Sequence, residues 1–292
     1  MRIAITGTSG LVGRDLWEEL KDKHNIWGLG RRKPDFVPMS QWRTLDIIDA
    51  ENTANIVHQI NPDCIVHLAA VSNPDECEKD PVTGYKANAL GARNIALACM
   101  KFDTEMLYVS SDQVFNGKKE SEYNELDRPD PVNHYGRSKY WGEQFVQSLL
   151  RRFYVVRTAL VFGESRPTFV DRVAKCAYAG ESLTAAADIV NSPTYSKDLA
   201  GAISYLLEKH IYGIIHIANE GHCSRLELAE FIAKSLGIKT GFIKKGTKKD
   251  LALPALRPGY TPLENKVWNL NGFPRMRPWK DAVMNFLHNM PD

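Results

Sequence analysis

One serine, one tyrosine and one lysine of this sequence have the types and the spacing that proton transfer to a carbonyl group requires. Ser111 follows an apolar run at 106–110, and Tyr135 occurs further along with Lys139 four positions after it. Residues four apart on a helix share a face. A nearby ammonium favours the phenolate, so we expect the pKa of Tyr135 to fall from about 10 toward about 7. Ser111 would donate a hydrogen bond to the same carbonyl oxygen, which predicts a general acid with two supporting groups.

The Tyr-x-x-x-Lys pattern alone has little specificity, because it occurs twice in this sequence. Tyr205 and Lys209 match it as well. That second pair lies in a plain amphipathic helical pattern and has no serine-ending strand before it. We interpret Tyr205 and Lys209 as an ordinary helical pair and assign the chemistry to Tyr135 and Lys139.

Three glycines lie where the first apolar run gives way to a helical pattern. Gly7, Gly10 and Gly13 follow the strand pattern at 2–6 and open the helical spacing at 11–23. The first glycine permits a tight turn, the second lets backbone N–H groups approach a pyrophosphate, and the third lets helix and strand pack closely. No Gly-Lys-Ser/Thr follows, which excludes the phosphate-binding loop of an NTPase. The turn predicts a dinucleotide site.

The residues after the second predicted strand, 25–29, indicate which dinucleotide is bound. An NAD-binding protein usually has an acidic residue there for the ribose 2′-hydroxyl, but this sequence has Arg31 and Arg32. Guanidinium groups suit a 2′-phosphate through charge-assisted hydrogen bonds, which favours NADPH. Asp35 lies slightly later and keeps NADH as an alternative, and Asp46 is a candidate contact at the adenine end.

The composition excludes several other classes of protein. Thirty-seven basic and 35 acidic residues give a formal net charge of +2, so we expect neither nucleic acid nor a membrane as a partner. No run approaches the roughly 20 apolar residues that span a bilayer, and the first residues show no signal-peptide layout. The 5 cysteines are odd in number and lack metal-ligand spacing, which predicts a reduced cytoplasmic protein without a metal site.

Short apolar runs alternate with amphipathic segments through the first two thirds of the chain. Strand patterns lie at 2–6, 25–29, 64–68, 106–110 and 154–157, and helical patterns lie at 11–23, 53–60, 82–100 and 138–150. Continuous apolar strands between helices are typical of a parallel sheet covered on both faces, and right-handed crossovers make it doubly wound. We therefore predict an α/β protein with a doubly wound, mostly parallel Rossmann sheet in 1–160, to which 192–217 returns. The rest of 161–292 predicts a smaller C-terminal substrate-binding lid.

With these motifs in view, the chain resembles the extended short-chain dehydrogenase/reductase superfamily, and within it the dTDP-4-dehydrorhamnose reductase family, over nearly its whole length. The residues that carry the resemblance are, in chain order, 6–13, 67–70 with Asp75 and Glu78, 110–112 with 114–117, 135–139 with Gly142 and Glu143, Arg157 and Thr158, Pro193 and Thr194 with 198–200, and 255–258. The later matches are weak one by one, but their order is specific.

The resemblance implies NADPH-dependent reduction of the 4-keto group of a nucleotide-linked 6-deoxyhexulose, in dTDP-rhamnose and cell-surface polysaccharide biosynthesis. It makes Ser111, Tyr135 and Lys139 the catalytic residues. The cofactor-binding residues predicted from the motifs and the resemblance together are Gly7, Ser9, Gly10, Leu11, Val12, Gly13, Arg31, Arg32, Asp46, Ile47, Ala69, Ala70, Val71, Tyr135 and Lys139. The predicted substrate-binding residues are Ser72, Asp112, Gln113 and Arg257. The expected partner is a nucleotide sugar, and a homodimer is one arrangement compatible with the sequence.

Two positions depart from the pattern of that family. The family usually has Thr-Asp-Tyr at the end of the catalytic strand, where this chain has Ser111, Asp112 and Gln113, and it often has a tryptophan where this chain has Leu160. Serine keeps the hydroxyl group, but the two changes remove rings near the sugar and the nucleotide base, so the identity of both stays open. Related dehydratases have a glutamate in place of Gln113. An amide cannot exchange a proton, which argues against a dehydratase.

Two alternatives remain open at the level of sequence. The regulatory β subunit of methionine adenosyltransferase is similar to the same family and acts by binding a partner enzyme, and it can keep the three catalytic residues. A sugar-nucleotide epimerase or dehydratase of the superfamily would share the fold and the dinucleotide site. Epimerases hold NAD tightly, which Arg31 and Arg32 fit poorly.

Overall fold

The computed structural model describes residues 1–290. Its strands are β1 (Arg2–Thr6), β2 (Asn25–Gly30), β3 (Trp42–Thr44), β4 (Cys64–His67), β5 (Glu105–Ser111), β6 (Phe153–Thr158), β7 (Val161–Phe162), β8 (Leu183–Ala186), β9 (Val190–Asn191), β10 (Thr194–Tyr195), β11 (Gly213–His216), β12 (Cys223–Ser224) and β13 (Ile243–Gly246). Its α-helices are α1 (Leu11–Leu20), α2 (Ala50–Ile60), α3 (Pro74–Lys79), α4 (Pro81–Tyr85), α5 (Gly91–Lys101), α6 (His134–Leu149), α7 (Phe169–Ala179), α8 (Ser196–Lys209), α9 (Arg225–Ser235), α10 (Lys266–Leu270) and α11 (Trp279–His288). Among the helices of residues 1–290, none combines the length and the apolar character that a membrane crossing requires.

A seven-stranded parallel sheet forms the centre of the molecule, in the order β11-β6-β5-β4-β1-β2-β3. The central strands are apolar on both sides, and Ile3, Ile5, Ile65 and Val66 are fully buried, as expected for a sheet covered on both faces. The chain order reverses between β1 and β4, and such a point leaves a ligand crevice at the carboxyl ends of the strands. The predicted fold class, a doubly wound and mostly parallel α/β sheet, is confirmed.

Helices cover the two faces of this sheet. Leu16 of α1 and Ile203 of α8 belong to the apolar cluster on one face. Ile56 of α2, Ile95 of α5 and Val146 of α6 belong to the cluster on the other face. Burial of each such side chain stabilises the fold by roughly 1.5–3 kcal/mol. The two clusters hold the strand ends rigidly, which fixes the walls of the crevice.

Two helices differ from the prediction made from the sequence. The helix expected at 82–100 divides into α4, a π-helical stretch at Lys86–Leu90, and α5. A π-helical turn of this kind is frequent at functional sites. The helix expected from 138 begins at His134, because the Asn133 side chain accepts a hydrogen bond from the Gly136 amide at 2.7 Å and caps the helix there. Tyr135 therefore lies in the first turn of α6.

The later part of the chain contains a separate apolar cluster. It includes Val173 of α7, Ile232 of α9 and Phe286 of α11, and it lies among the small two-stranded sheets β7-β10, β8-β13 and β9-β12. Strand β11 lies in the main sheet beside β6. The division into a dinucleotide-binding part and a lid at 161–292 stays a prediction, and the last two residues of that lid lie outside the described part of the chain.

Candidate active site

A cleft of about 1000 Å³ lies at the carboxyl ends of β1, β2, β4 and β5, beside the first turns of α6. Every residue that the sequence predicts to bind cofactor or substrate, or to act in catalysis, lines this cleft. The cleft therefore joins the glycine turn at 7–13, the segment after β4 and the Ser111, Tyr135 and Lys139 group. The role of each residue in it stays a prediction.

The glycine turn has the close approach that a dinucleotide cradle needs. Gly7 has a φ of +72°, and a Cβ atom at Gly13 would lie 2.3 Å from the Gly7 carbonyl oxygen. Gly10 is the N-cap of α1 and offers no side chain to the first-turn amides. These amides are therefore free to receive a pyrophosphate at the positive end of the helix dipole. The residues of this turn fit a dinucleotide.

The charged residues beside β2 fit a phosphorylated ribose. Arg31 and Arg32 follow the strand directly, and their exposed side chains line the cleft. Asp46 lines the same wall, and its carboxylate accepts a hydrogen bond from the Ile48 amide at 3.1 Å. Two guanidinium groups beside one carboxylate favour a 2′-phosphate over a 2′-hydroxyl. This wall fits NADPH better than NADH.

Tyr135 and Ser111 bring two hydroxyl groups to the cleft from different elements. Tyr135 is the second residue of α6 and is 9% exposed, while Ser111 ends β5 and is 7% exposed. The Ser111 hydroxyl accepts a hydrogen bond from the Gln113 amide at 3.2 Å and donates one to Asp112 at 3.0 Å. The Gln113 amide and the Asp112 carboxylate therefore fix where the Ser111 hydroxyl points, and the Asn133 cap fixes the helix turn that carries Tyr135.

Lys139 lies one helical turn after Tyr135 and is 3% exposed. Its Nζ atom is 4.1 Å from the centroid of the Tyr108 ring, and the Tyr108 hydroxyl donates a hydrogen bond to the Lys139 carbonyl at 3.3 Å. Burial lowers the pKa of Lys139 to about 7, against the opposing field of the Glu143 carboxylate. The Lys139 side chain therefore exchanges between its ammonium and amine forms near neutral pH.

The expected fall in the pKa of Tyr135 is wrong. Burial raises this pKa above its ordinary value, and the neighbouring Ser111 hydroxyl offsets the rise only in part. Tyr135 and Lys139 are both buried, and burial disfavours the charged form of each side chain more than the surrounding groups favour it. The phenol consequently keeps its proton at neutral pH, as a proton donor must.

Asp112 lines the cleft but is already engaged with protein groups. Its carboxylate accepts hydrogen bonds from Ser111 at 3.0 Å, Asn191 at 2.7 Å and Thr261 at 2.6 Å. Burial raises the pKa of Asp112, and the three donors act in the opposite direction. Asp112 therefore ties the end of β5 to two segments of the later chain and orients the Ser111 hydroxyl.

The other predicted substrate residues differ in how they are held. The Arg257 guanidinium pairs with Asp75 at 2.8 Å and also donates to the Ala255 carbonyl. The side-chain oxygen of Gln113 accepts a hydrogen bond from Asn133 at 2.8 Å, and Asn133 is also the N-cap of α6. Ser72 is exposed at the cleft. Gln113 thus supports the helix that carries Tyr135.

Asn88 is a site residue that sequence analysis missed. It lies in the π-helical stretch, where its side-chain oxygen accepts a hydrogen bond from the Val71 amide at 2.8 Å and its Nδ2 donates to Ser138 at 2.9 Å. Asn88 therefore joins the cofactor loop after β4 to the helix that carries Tyr135 and Lys139. A buried asparagine among small residues was the available signal.

Two further arginines on the cleft wall were also missed. Arg166 donates a hydrogen bond to the Ser9 carbonyl at 3.2 Å, beside the glycine turn. Arg225, the first residue of α9, lies on the part of the wall that includes Asn191 and Arg257. Neither stands in a motif, so only the folded chain shows that they face the cleft.

The chain is similar to known proteins over nearly its whole length. The model of the family described as RmlD substrate binding domain matches residues 1–291. The chain is 32% identical over 288 residues to the dTDP-4-dehydrorhamnose reductase of Mycolicibacterium smegmatis, covering 97% of this chain and 84% of that protein. It is 30% identical over 287 residues to the spore coat polysaccharide biosynthesis protein SpsK of Bacillus subtilis, covering 98% and 96%.

A solved structure is similar over almost the whole chain. The dTDP-4-dehydrorhamnose reductase of Bacillus anthracis, crystallised with NADP, has a TM-score of 0.90 and 32% sequence identity, and the match covers 99% of each chain. The similarity extends through the cleft and the small sheets beyond it.

Proposed function

The chain belongs to the RmlD substrate binding domain family, and from this premise we propose that it reduces the 4-keto group of a nucleotide-linked 6-deoxyhexulose, with NADPH as its cofactor. The relatives named as dTDP-4-dehydrorhamnose reductases support this reaction, and a structural neighbour solved with NADP supports the cofactor. The protein is accordingly an NAD(P)-dependent oxidoreductase. Its proposed product is a nucleotide-linked deoxysugar, which is a building block for a surface polysaccharide, and a relative is named as a spore coat polysaccharide biosynthesis protein.

The observation that carries the proposal is the meeting of three side chains beside the glycine cradle. Ser111, Tyr135 and Lys139 line one cleft with the turn at 7–13. When bound, the cofactor supplies the hydride. Tyr135 donates its phenolic proton to the carbonyl oxygen, and Ser111 polarises the same oxygen by a hydrogen bond. Lys139, in its charged form, stabilises the phenolate that Tyr135 becomes.

The neighbours of these residues support the same direction of proton transfer. Burial raises the pKa of Tyr135, so the hydroxyl begins the reaction protonated. The Ser111 hydroxyl donates to Asp112 at 3.0 Å, so its one proton must turn from Asp112 to the carbonyl oxygen when substrate binds. Asn88 fixes the cofactor loop against α6. Apart from this rotation of the Ser111 hydroxyl, the groups are held in place before the carbonyl becomes an alcohol, and such preorganisation is the main source of electrostatic catalysis.

A turnover assay tests the proposal. The purified protein is mixed with NADPH and the 4-keto-6-deoxy sugar nucleotide made from dTDP-glucose, and both the loss of NADPH and the formation of the alcohol are measured. We expect one NADPH consumed for each alcohol formed, and slower turnover with NADH because Arg31 and Arg32 favour the 2′-phosphate.

Two other results would replace the proposal by one of the alternatives. A lack of turnover, with co-purification of a partner synthetase, would indicate a regulatory subunit. Product formation without net NADPH consumption, by protein that keeps its cofactor through purification, would indicate an epimerase or a dehydratase.

We also propose a cytoplasmic location and a homodimer as the working assembly. The cysteines Cys64, Cys77, Cys99, Cys176 and Cys223 are free and buried, which agrees with a reducing compartment. Size-exclusion chromatography with light scattering tests the assembly, and a monomeric mass at working concentration would reject the homodimer.

A further inference from the structure

Arg225 is a cation of the cleft wall to which the proposed reaction assigns no task. It is the first residue of α9 and lines the cleft together with Ile189, Asn191 and Arg257. The charged residues Arg31 and Arg166 lie on the glycine-turn side instead. Arg225 therefore belongs to the half of the cleft that the dinucleotide cradle leaves for the other reactant.

Among the described residues, the Arg225 guanidinium has no carboxylate partner, in contrast to Arg157, Arg257 and Arg277. Arg157 pairs with Glu143 at 2.7 Å, Arg257 with Asp75 at 2.8 Å, and Arg277 with Asp198 at 2.7 Å. Within residues 1–290, Arg225 makes no such pair; the groups that act on it are burial and the more distant charges of Asp112, Cys223 and Arg257. Arg225 is half-buried, and partial withdrawal of a cation from water without a partner disfavours its charged form.

Asp112, the carboxylate whose charge acts on Arg225, makes its hydrogen bonds with other side chains. Asp112 already accepts hydrogen bonds from three side chains, including Asn191 at 2.7 Å and Thr261 at 2.6 Å. Asp112 thus influences Arg225 only through space, and burial still lowers the pKa of Arg225 to about 10. The positive charge on this wall is left for a ligand.

The side chain is nevertheless held in place. The Arg225 guanidinium carbon lies 5.0 Å from the centroid of the Phe169 ring, and the Arg225 amide donates a hydrogen bond to the Ile189 carbonyl at 3.0 Å. Ser224 and Glu227 form a capping box around the same backbone. A planar guanidinium stacked on a ring loses little freedom when it binds an anion.

We propose that Arg225 binds the diphosphate of the nucleotide sugar, with Arg257 as its companion cation. This inference rests on the proposed function, because it takes the substrate from it. A 6-deoxyhexulose and a nucleobase are both neutral, so the diphosphate is the anionic part of such a substrate. The fork of a guanidinium matches two phosphate oxygens.

Ligand binding by Arg225→Met tests the proposal, with Arg225→Lys as a second variant and Arg93→Met, an exposed position of α5, as the control. The dissociation constants of dTDP, dTMP and thymidine are measured by calorimetry on the NADPH-bound protein. A charged hydrogen bond contributes about 1.5–3 kcal/mol, so we expect Arg225→Met to weaken dTDP binding about 10- to 150-fold. Thymidine and NADPH should bind as in the wild type, and Arg225→Lys should be intermediate.

Thermal stability separates a binding role from a structural one. Replacing this half-buried cation, which has no carboxylate partner within residues 1–290, by an apolar side chain of similar length should leave the melting temperature of the ligand-free protein unchanged or raise it. Arg225→Met should also lose most of the rise in melting temperature that dTDP produces. A ligand-free protein destabilised in both Arg225 variants, with unchanged dTDP affinity, would overturn the inference.

The outcomes distinguish this inference from the proposed function. Turnover of the keto sugar with equal dTDP affinity in wild type and Arg225→Met would reject the role of Arg225 and leave the reductase. Absence of turnover with an affinity for dTDP that depends on Arg225 would keep the anion site and reject the reductase. A wild-type protein that binds no dTDP would reject both.

Discussion

The two Tyr-x-x-x-Lys pairs of this chain have the same spacing and different surroundings. Tyr135 and Lys139 lie on α6 and are both buried at the cleft. Tyr205 packs its ring against Trp268, with centroids 5.9 Å apart, and Lys209 is exposed, with Nζ 4.7 Å from the Tyr205 centroid. Lys209 thus lies over the ring of its own pair, whereas Lys139 lies over the ring of Tyr108 in β5. Only one pair can reach a ligand.

The difference comes from where each pair lies along its helix. A crossover helix runs from the carboxyl edge of a parallel sheet back to the amino edge. Tyr135 is in the first turn of α6, whereas Tyr205 is in the last part of α8. His210, just after α8, lies 3.5 Å from Glu105, the first residue of β5. The second pair is therefore at the edge of the sheet opposite the cleft.

The comparison shows that position in the topology gives a motif its chemistry. At the carboxyl edge, the side chains of α6 meet the end of β5, so Tyr135 gains Ser111 as a neighbour and Lys139 loses contact with water. At the amino edge, the same spacing leaves a lysine in solvent. Helical spacing predicts which residues share a face, but the sheet decides whether that face borders a crevice.

Removal of the phenol hydroxyls should give the largest contrast between the pairs. We expect Tyr135→Phe to lower kcat by about 10²- to 10⁴-fold, because the general acid is lost while the ring still fills its place. Tyr205→Phe keeps the ring packed against Trp268 and should leave kcat within a factor of two or so of the wild type. Steady-state turnover of the keto sugar nucleotide measures both.

Circular dichroism of the two variants controls for folding. The assignment of the pairs would be reversed by normal turnover in Tyr135→Phe together with a loss in Tyr205→Phe. Equal losses in both would mean that neither hydroxyl donates the proton.

The stability of the ligand-free protein should depend on pH through Lys139. Burial lowers the folded-state pKa of Lys139 to about 7 from an ordinary value near 10.5. Between these values the unfolded chain binds more protons than the folded one, so the free energy of unfolding rises with pH in that window. At about 1.4 kcal/mol per unit, the rise from pH 7 to 9 is about 2–3 kcal/mol. Lys139→Met should lack this rise.

Urea unfolding at about pH 6, 7.5 and 9 measures the effect. The difference in free energy of unfolding, Lys139→Met minus wild type, should be largest at the lowest pH and should fall as the pH increases. Lys209→Met is the matched control at an exposed position, with a difference from wild type within about 0.5 kcal/mol. A relative stability of Lys139→Met that is flat across this range would contradict the lowered pKa.

The features that the sequence made predictable are those set by local pattern. The glycines at 7, 10 and 13, the strand ending at Ser111 and the four-residue step from Tyr135 to Lys139 each depend on neighbouring positions. Once apolar runs alternate with helices, the topology of a doubly wound sheet brings their ends to one edge. This is why every predicted site residue lines one cleft.

The features that the sequence did not reveal depend on contacts between distant segments. The pKa of Tyr135 rises because the folded chain buries it beside Ser111, Asp112 and Cys77, which spacing cannot show. Arg225 stands in no motif, and only the folded chain shows that no carboxylate of residues 1–290 pairs with it. The start of α6 is different: Asn133 is a recognisable N-cap, and the sequence prediction overlooked it.

Glycine-to-alanine changes should give the smallest contrast between α6 and α8. We expect the change in α6 to destabilise the protein and the change in α8 to stabilise it. A Cβ atom at Gly142 of α6 would lie 2.3 Å from the Tyr108 hydroxyl oxygen, whereas a Cβ atom at Gly201 of α8 would meet nothing within 4 Å. Gly142→Ala must displace the ring that lies beside Lys139, so we expect a loss of about 1–3 kcal/mol in the free energy of unfolding. Gly201→Ala should gain about 0.4–1 kcal/mol, because alanine restricts the unfolded chain and favours the helix.

Urea unfolding and turnover, measured on both variants, decide whether this difference is linked to the site. A lower kcat in Gly142→Ala alone would mean that the close packing of α6 on Tyr108 serves to hold Lys139 in position. Loss of stability in Gly142→Ala with unchanged kcat would mean that the packing only supports the fold. A destabilised Gly201→Ala would show that α8 is as closely packed as α6, and the contrast between a helix built around a site and a helix built only for the core would no longer hold.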